Sequence, residues 1–342
     1  MKQNLKDLTL PELETYFESL GEKKYRAKQV LRWLYQGVDS FDDMSDISIA
    51  LREKLKEHAE ITTLKISERK ISKQDGTRKY LFELSDGNMI ESVFMKYKYG
   101  NSICISSQAG CRMGCIFCAS GKDGLVRNLS AGEMVDQILK VERDTGEKIN
   151  HVVIMGTGEP FDNYENMSSF IKIINDKHGL HIGMRNITVS TCGIIPKISE
   201  FAVDFPQVNL AISLHASNDA ERKKIMPIAN KYSFDELLIA CQKYTDKTGR
   251  RITFEYTLIA GKNDDIKHAE ELASKLQGLL CHVNLIPMNQ VSELEVKASS
   301  KPKVQQFFKK LQEKHIAATV RRELGTDIDA ACGQLRLSRI SS

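Results

Sequence analysis

A chain of 342 residues, 41% hydrophobic and 27% charged, has the make-up of a globular protein with room for a substantial core, and its formal net charge of +4 neither requires nor excludes a nucleic-acid partner. No apolar run approaches the ~18 residues of a membrane span, and the opening MKQNLKDLTLPE lacks the apolar stretch and cleavage site of a signal peptide. Eight cysteines, four of them between Cys104 and Cys118, are too unevenly placed for a disulfide scaffold and fit a reducing, cytoplasmic setting with no membrane association.

Residues 1 to about 60 read as helical, with one segment over Leu8–Leu20 and another over Tyr25–Gly37, where Ala27, Val30, Leu31 and Leu34 fall at helical spacing. Between about 61 and 98 the pattern turns strand-like: Tyr80–Leu84 and Met89–Met95 flank Ser85-Asp86-Gly87-Asn88, a good hairpin turn. From about 101 the rhythm is strand, loop, helix. The strands are Ser102–Ser106, His151–Met155, Asn186–Val189, Val208–Leu214, Ile252–Ile259 and His282–Ile286. The helices are Ala131–Arg143, Tyr164–Asp176, Phe234–Lys247, Ile266–Leu276 and Val304–Lys314. Six βα units predict an α/β fold with a parallel sheet or open barrel, whose active site forms in loops after the carboxyl ends of the strands. The polar segments Cys111–Cys118, Gly156–Glu159, Ser190-Thr191, Ser213-Leu214-His215 and Asn289 all fall there.

Within Gly110–Cys118 the thiols are spaced C-x3-C-x2-C, at Cys111, Cys115 and Cys118. A loop this tight brings three thiolates to one cuboidal [4Fe-4S] cluster and leaves one iron open to a chelating substrate. A structural zinc site wants four ligands, and the nearest downstream histidine is His151. Three buried free thiols are the other alternative. The spacing, in the first strand-to-helix loop of a βα array, resembles that of the radical S-adenosylmethionine enzymes. Gly156-Thr157-Gly158-Glu159-Pro160 lacks the Gly-Lys-Ser/Thr of a phosphate loop. It resembles the Gly-Glu segment with which that superfamily meets the ammonium of S-adenosylmethionine; a plain turn with a solvated Glu159 is the bland reading.

Further motifs narrow the resemblance. Ser106-Ser107-Gln108-Ala109-Gly110, Met155–Pro160, Ser213-Leu214-His215, Asn284-Leu285-Ile286-Pro287 and the run Asp327–Leu335 together resemble the RlmN family. Its members are dual-specificity methyltransferases acting on carbon 2 of adenine in 23S rRNA and tRNA. The resemblance covers essentially the whole chain. It implies an open (β/α)6 partial barrel over 101–342, preceded by a helical accessory domain over 1–60 and a β-hairpin connector, part of a short β-meander, over 61–100. It implies a [4Fe-4S] cluster on Cys111, Cys115 and Cys118, and S-adenosylmethionine, two molecules per turnover, held by Gly158, Glu159, Ser190, Ser213, Leu214, His215 and Asn289.

Carbon 2 of adenine, between two ring nitrogens, is too electron-poor to attack a methyl sulfonium directly. The resemblance implies that Cys332 first accepts a methyl group. A radical generated at the cluster removes hydrogen from it, and the resulting methylene adds to carbon 2. Glu91 then takes the carbon 2 proton, and Cys104 attacks the Cys332 sulfur to form a transient disulfide and free the product. Without the family, Cys104 reads as a buried strand cysteine and Glu91 as a surface carboxylate. Cys192, Cys241 and Cys281 read as buried small hydrophobes.

Basic clusters give candidate phosphate contacts: Lys23, Lys24, Arg26, Lys28 and Arg32 around Tyr25, Trp33 and Tyr35; Arg222, Lys223 and Lys224; and Lys301, Lys303, Lys309, Lys310, Arg321 and Arg322. Solvated helix faces are the competing reading. The partners expected are 23S rRNA, tRNA and a reduced electron donor such as flavodoxin or ferredoxin, with the chain a monomer. Two alternative activities stand beside this: methylation of carbon 8 of the same rRNA adenine, and a non-catalytic iron–sulfur RNA-binding factor. Pro160 after Gly158-Glu159 leans toward the carbon 2 group.

Overall fold

The computed structural model describes residues 2–288, 296–328 and 330; Asn289 and Cys332 lie outside the described residues. The chain opens with β1 (Gln3–Asn4), then α1 (Leu10–Ser19), α2 (Tyr25–Tyr35), α3 (Ile49–His58) and β2 (Ala59–Glu60), which pairs in parallel with β1. Thr9 and Glu12 close a capping box at the start of α1, and Ser48 caps α3. Leu13 and Phe17 of α1, Val30 and Leu34 of α2, and Leu51 and Leu55 of α3 bury their apolar stripes against one another in a core of their own.

A buried ion pair fastens this helical unit to the rest. Lys6 Nζ lies 2.6 Å from Asp136 Oδ1, with both side chains almost wholly enclosed, and also donates to the Thr62 carbonyl at 3.0 Å. The second Asp136 oxygen accepts the Leu64 N–H. Breaking one partner strands a buried charge, so Asp136→Ala is expected to cost about 3–5 kcal/mol, read as a lower denaturation midpoint. A Lys6→Met, Asp136→Leu double variant should recover most of that loss, because it leaves no charge uncompensated.

Next come β3 (Lys65–Ile71), β4 (Arg78–Glu83), β5 (Met89–Tyr97) and β6 (Gly100–Ile105), a run of antiparallel pairings. A small hairpin of β7 (Gln108–Gly110) and β8 (Leu125–Asn128) brackets the cysteine loop. Then follow α4 (Ala131–Thr145), β9 (His151–Ile154), α5 (Tyr164–Asn175), β10 (Ile187–Thr191), α6 (Ile195–Asp204), β11 (Asn209–Ser213), α7 (Asp219–Ile225), α8 (Phe234–Thr248), β12 (Ile252–Leu258), α9 (Ile266–Leu276), β13 (Cys281–Pro287), α10 (Lys301–Glu313) and β14 (Ala318–Val320). One ten-stranded sheet runs in the order β14-β13-β12-β11-β10-β9-β6-β5-β4-β3, parallel from β14 to β6 and open at both edges. The strands of 61–100 therefore continue the barrel sheet.

The six strands read from the sequence correspond to β6 and β9–β13. Among the elements that went unread are α7, α6 and β14. In α7 five of seven residues are charged, which leaves no apolar period to detect. Pro196 in the first turn of α6 resembles a strand end, and β14 has only three residues.

Register sorts the strand residues. Val93 lies opposite Cys104, Cys104 beside Val153, Ser213 beside Glu255, and Glu255 beside Asn284. With a period of two, Glu91, Cys104, Ser190, Ser213, Glu255 and Asn284 all point to the concave face. Their alternates, among them Ile103, Val152, Val189, Ile212, Phe254 and Leu285, pack in the core on the opposite face. Among the described residues no helix is long and apolar enough to cross a membrane.

Candidate active site

A cavity of about 150 Å³ opens on the concave face, with Cys111, Cys115 and Cys118 in its wall. Two glycines shape the cysteine loop. Gly110 sits at φ +76°, and a Cβ there would lie 2.1 Å from the Gly124 carbonyl oxygen, which accepts the Cys111 N–H at 2.9 Å. Gly114 turns the loop between the first two thiols at φ +66°. The loop is tied outward by Arg112, whose Nε donates to Asp162 at 2.8 Å, and inward by the Ile116 N–H, which donates to the Ile225 carbonyl at 3.1 Å.

Burial pushes the Cys111 thiol up to about 12 and the Cys115 thiol well above its ordinary range. Bound metal replaces such protons outright. A structural zinc site wants four ligands, and the loop offers three thiols. A cuboidal cluster fits, because each thiolate then meets a different iron. A second observation fits the same group: the wholly buried Arg222 leaves Nη1 without a hydrogen-bond partner among the described residues. An anionic cluster suits a site with a spare cationic donor.

Opposite the thiols, the loop after β9 is folded hard against the end of β6. A Cβ on Gly156 would come within 2.6 Å of the Ile105 carbonyl, and one on Gly158, at φ +111°, within 2.6 Å of Gln108 Cβ. Gln108 Oε1 accepts the Glu159 N–H at 2.8 Å, while Ser106 Oγ accepts the Thr157 N–H at 3.0 Å and donates to the Glu91 carbonyl at 2.6 Å. The Ser106–Gly110 motif is thus the seat of the Gly-Glu loop. Glu159 is buried, not solvated. Its carboxylate accepts the Cys192 N–H at 2.7 Å and the Phe161 N–H at 3.0 Å; desolvation raises its pKa, and hydrogen bonds from Thr191, Cys192 and Phe161 oppose that rise.

Ser190, Ser213 and His215 reach the same wall, whereas the Leu214 side chain points into the main core. His215 holds φ +55°, and burial, with Arg222 nearby, lowers its pKa to about 3, so the ring is neutral. Its Nδ1 accepts the Thr257 N–H at 2.9 Å, which leaves the proton on Nε2 as a donor. Phe117 of the cysteine loop packs on that ring at 4.5 Å between centroids.

Glu255, Thr257, Met226, Met288 and Arg321 also line the cavity, although the sequence reading passed over them as cavity residues. Glu255 was detectable: it is the one charged residue in the otherwise apolar or neutral run Ile252–Leu258, at an inward position. It is buried, which raises its pKa, and it accepts from Asn284 Nδ2 at 2.8 Å. Arg321, read from the sequence as a phosphate contact, also lines this wall. Arg222 is withdrawn from the RNA-facing basic cluster, because its side chain is fully buried. Cys192 and Cys241 are buried as expected, while Cys281 is only half-buried.

Cys104 and Glu91 do not line the thiol cavity. They lie on the same sheet face beside it. Cys104 clusters with Val93, Met95 and Ala330, and Met155 connects this cluster to the cavity by packing on one and lining the other. Glu91 is buried, against the surface reading, and pairs with Lys79 Nζ at 2.9 Å. The segment that ends at Ala330 is moored on the β3–β4 turn: Asp75 accepts the Gly325 N–H at 2.9 Å, and Asp327 accepts the Lys73 N–H at 3.0 Å. Cys332 follows Ala330 by two residues in the sequence and lies outside the described residues.

On the helical unit, Lys24 pairs with Glu18 at 3.3 Å, Lys28 with Glu14 at 4.0 Å, and Arg32 with Asp46, so much of its positive charge is locally balanced.

Three comparisons bear on this arrangement. The ribosomal RNA large subunit methyltransferase N-terminal domain matches residues 3–61, and the radical SAM superfamily matches residues 105–273. A probable dual-specificity RNA methyltransferase RlmN of Thermoanaerobacter sp. (strain X514) is 55% identical over 334 residues, covering 97% of each chain. One of Alkaliphilus oremlandii is 53% identical over 341 residues, covering 100% of this chain and 99% of the other. The crystal structure of a radical SAM methyltransferase from Sphaerobacter thermophilus superposes with a TM-score of 0.92 at 44% identity, covering 97% and 99% of the two chains.

Proposed function

The chain belongs to the RlmN family, and we propose that it methylates carbon 2 of adenine in 23S rRNA and tRNA. It is a radical S-adenosylmethionine RNA methyltransferase. The shared concave face, where Cys104, Glu91 and the segment leading to Cys332 adjoin the three-thiol cavity, supports the methyl-transfer route, and the carbon 2 assignment is carried by the full-length likeness to dual-specificity RlmN methyltransferases.

Cys111, Cys115 and Cys118 hold the [4Fe-4S] cluster; Gly158, Glu159, Ser190, Ser213, Leu214, His215 and Asn289 hold S-adenosylmethionine. When bound, these two groups supply one-electron cleavage to a 5′-deoxyadenosyl radical. The buried Glu159 carboxylate offers a dry, fixed negative charge to an ammonium, and neutral His215 offers a neutral N–H donor without a second positive charge. Cys332 carries the methyl carbon as a thioether, through which RNA becomes bonded to the protein. Glu91, ion-paired to Lys79, takes the carbon 2 proton. The Cys104 thiolate attacks the Cys332 sulfur, forming the S–S bond while the electron pair of the broken S–C bond stays on the methylene carbon, which takes up a proton to become the methyl group of the product. A low-potential donor such as flavodoxin or ferredoxin delivers the electron, and the reaction belongs to the cytoplasm.

Anaerobic reconstitution with isotopically labelled S-adenosylmethionine and protein-free 23S rRNA tests the reading. Expected products are 5′-deoxyadenosine and labelled 2-methyladenosine, read by nucleoside mass spectrometry. Labelled 8-methyladenosine would assign the chain to the carbon 8 activity, and an intact cluster with neither product would reduce it to a binding factor.

A further inference from the structure

Arg222 is the largest fully buried side chain in the described protein, and an arginine enclosed to that degree needs compensation. Part of it is visible. Nη2 donates to the Cys192 carbonyl at 2.6 Å and the Ser213 carbonyl at 3.2 Å, and Nε to the Leu214 carbonyl at 3.3 Å. These three acceptors lie at the carboxyl ends of β10 and β11, so the side chain bolts α7 to the rim of the cavity. Three turn-end carbonyls carry only partial charges. No carboxylate is paired with the guanidinium among the described residues, and Nη1 has no partner there either. A buried donor left unmade costs about 1–3 kcal/mol, more when charged.

Burial acts against the guanidinium charge most strongly, and the Cys192, Cys115 and Cys241 thiols and Asp219 lie near enough to interact with it electrostatically. The same helix also holds the cluster loop, through the Ile225 carbonyl that accepts the Ile116 N–H. Met226, one residue past α7, lines the cavity with the three cysteines. Guanidinium stays charged in proteins, so the positive charge here is permanent.

We propose that Arg222 is a positioning and potential-setting residue for the cluster, its fixed charge compensating the anionic iron–sulfur core and easing its one-electron reduction. The inference rests on the cluster reading above. Charge near the core and hydrogen bonds to its sulfurs are the protein's means of tuning such potentials. Adding an electron makes the cluster more negative, so a neighbouring positive charge favours the reduced state. Removing the charge drives the potential down.

The test compares Arg222→Gln with Arg222→Lys in anaerobically reconstituted full-length protein, by redox titration followed by electron paramagnetic resonance, with iron and sulfide content measured on each sample. Both variants lose the three-carbonyl fork, and only lysine keeps the charge. Arg222→Gln is expected to lower the reduced-to-oxidised ratio at fixed solution potential about tenfold, ~59 mV for a one-electron couple. Arg222→Lys should stay within about twofold of the wild type. Equal shifts in the two variants, or a Gln variant with full iron and an unchanged ratio, would overturn the proposal. If the Gln variant takes up no cluster, the lysine variant decides: a loaded cluster near the wild-type potential supports the role of charge, and loss of cluster from folded lysine variant reduces Arg222 to a carbonyl clamp. Wild-type protein that binds no iron and sulfide would instead sink the cluster reading itself.

Discussion

Cys115→Ser is expected to yield a folded protein with little iron or sulfide, and 5′-deoxyadenosine formation reduced by more than about 10³-fold. Losing an outer-shell partner of a metal ligand typically costs 10–100-fold in affinity or activity, so losing a direct ligand should cost more. Cys115 is the informative choice because its thiol sits between the other two in the loop and feels both of them. Oxygen for sulfur changes the volume by little, so packing against Met113, Ile116 and Phe117 should survive. The loop is also anchored independently, through Arg112–Asp162 and the Ile116–Ile225 hydrogen bond. Circular dichroism and iron analysis on the same sample separate folding from loading. Cys241→Ser, in a buried site away from the cavity wall, is the control and should retain full iron. A Cys115→Ser protein with normal iron and normal 5′-deoxyadenosine would remove the thiol from the ligand set.

The loops that build the cavity were legible because they interrupt the pattern. A C-x3-C-x2-C run or a Gly-Thr-Gly-Glu after an apolar strand has no packing explanation, and strand ends are where a parallel sheet leaves its backbone open to ligands. Side chains that project from mid-strand were harder to place. Glu91 looks like an exposed strand carboxylate until register puts it on the face shared with Cys104, and Lys79 becomes visible as its partner only when β4 is laid against β5. Register across a sheet depends on all the strands together, so no local window carries it.

Arg222 shows the same limit more sharply. In sequence it opens Arg222-Lys223-Lys224, a basic triplet that reads as a phosphate-binding face. In the fold, α7 turns Arg222 fully inward, while Lys223 pairs with Asp219 at 2.6 Å and Lys224 with Glu221 at 3.0 Å on the outside. Three adjacent residues on a helix point about 100° apart, so a charge run is a surface patch only when the whole helix is exposed. The motif Asp327–Cys332 likewise resembles a family signature without saying what its acids do. Asp327 proves to be a mooring, holding the segment onto the Lys73 N–H.

Cys104→Ala is expected to trap RNA on the protein. With no thiolate to displace the Cys332 sulfur, the thioether between Cys332 and carbon 2 has no exit, and product release should fall by more than about 10²-fold while the first half of the cycle proceeds. The adduct should migrate as a protein–RNA band on a denaturing gel and vanish on ribonuclease digestion. It should be absent from a Cys104→Ala, Cys332→Ala double variant, which lacks the point of attachment. The substitution is mild structurally: one sulfur is lost from a cluster of Val93, Met95 and Ala330, a cost of about 1 kcal/mol. The main surrogate nucleophile to consider is Cys192, and it is held on the other side of the cavity with its N–H committed to Glu159 and its thiol pushed well above its ordinary range by burial. A thiol so protonated is a poor nucleophile. Free turnover by Cys104→Ala would therefore exclude the disulfide route and require that the Cys332–RNA bond be broken by some group other than a cysteine on this face.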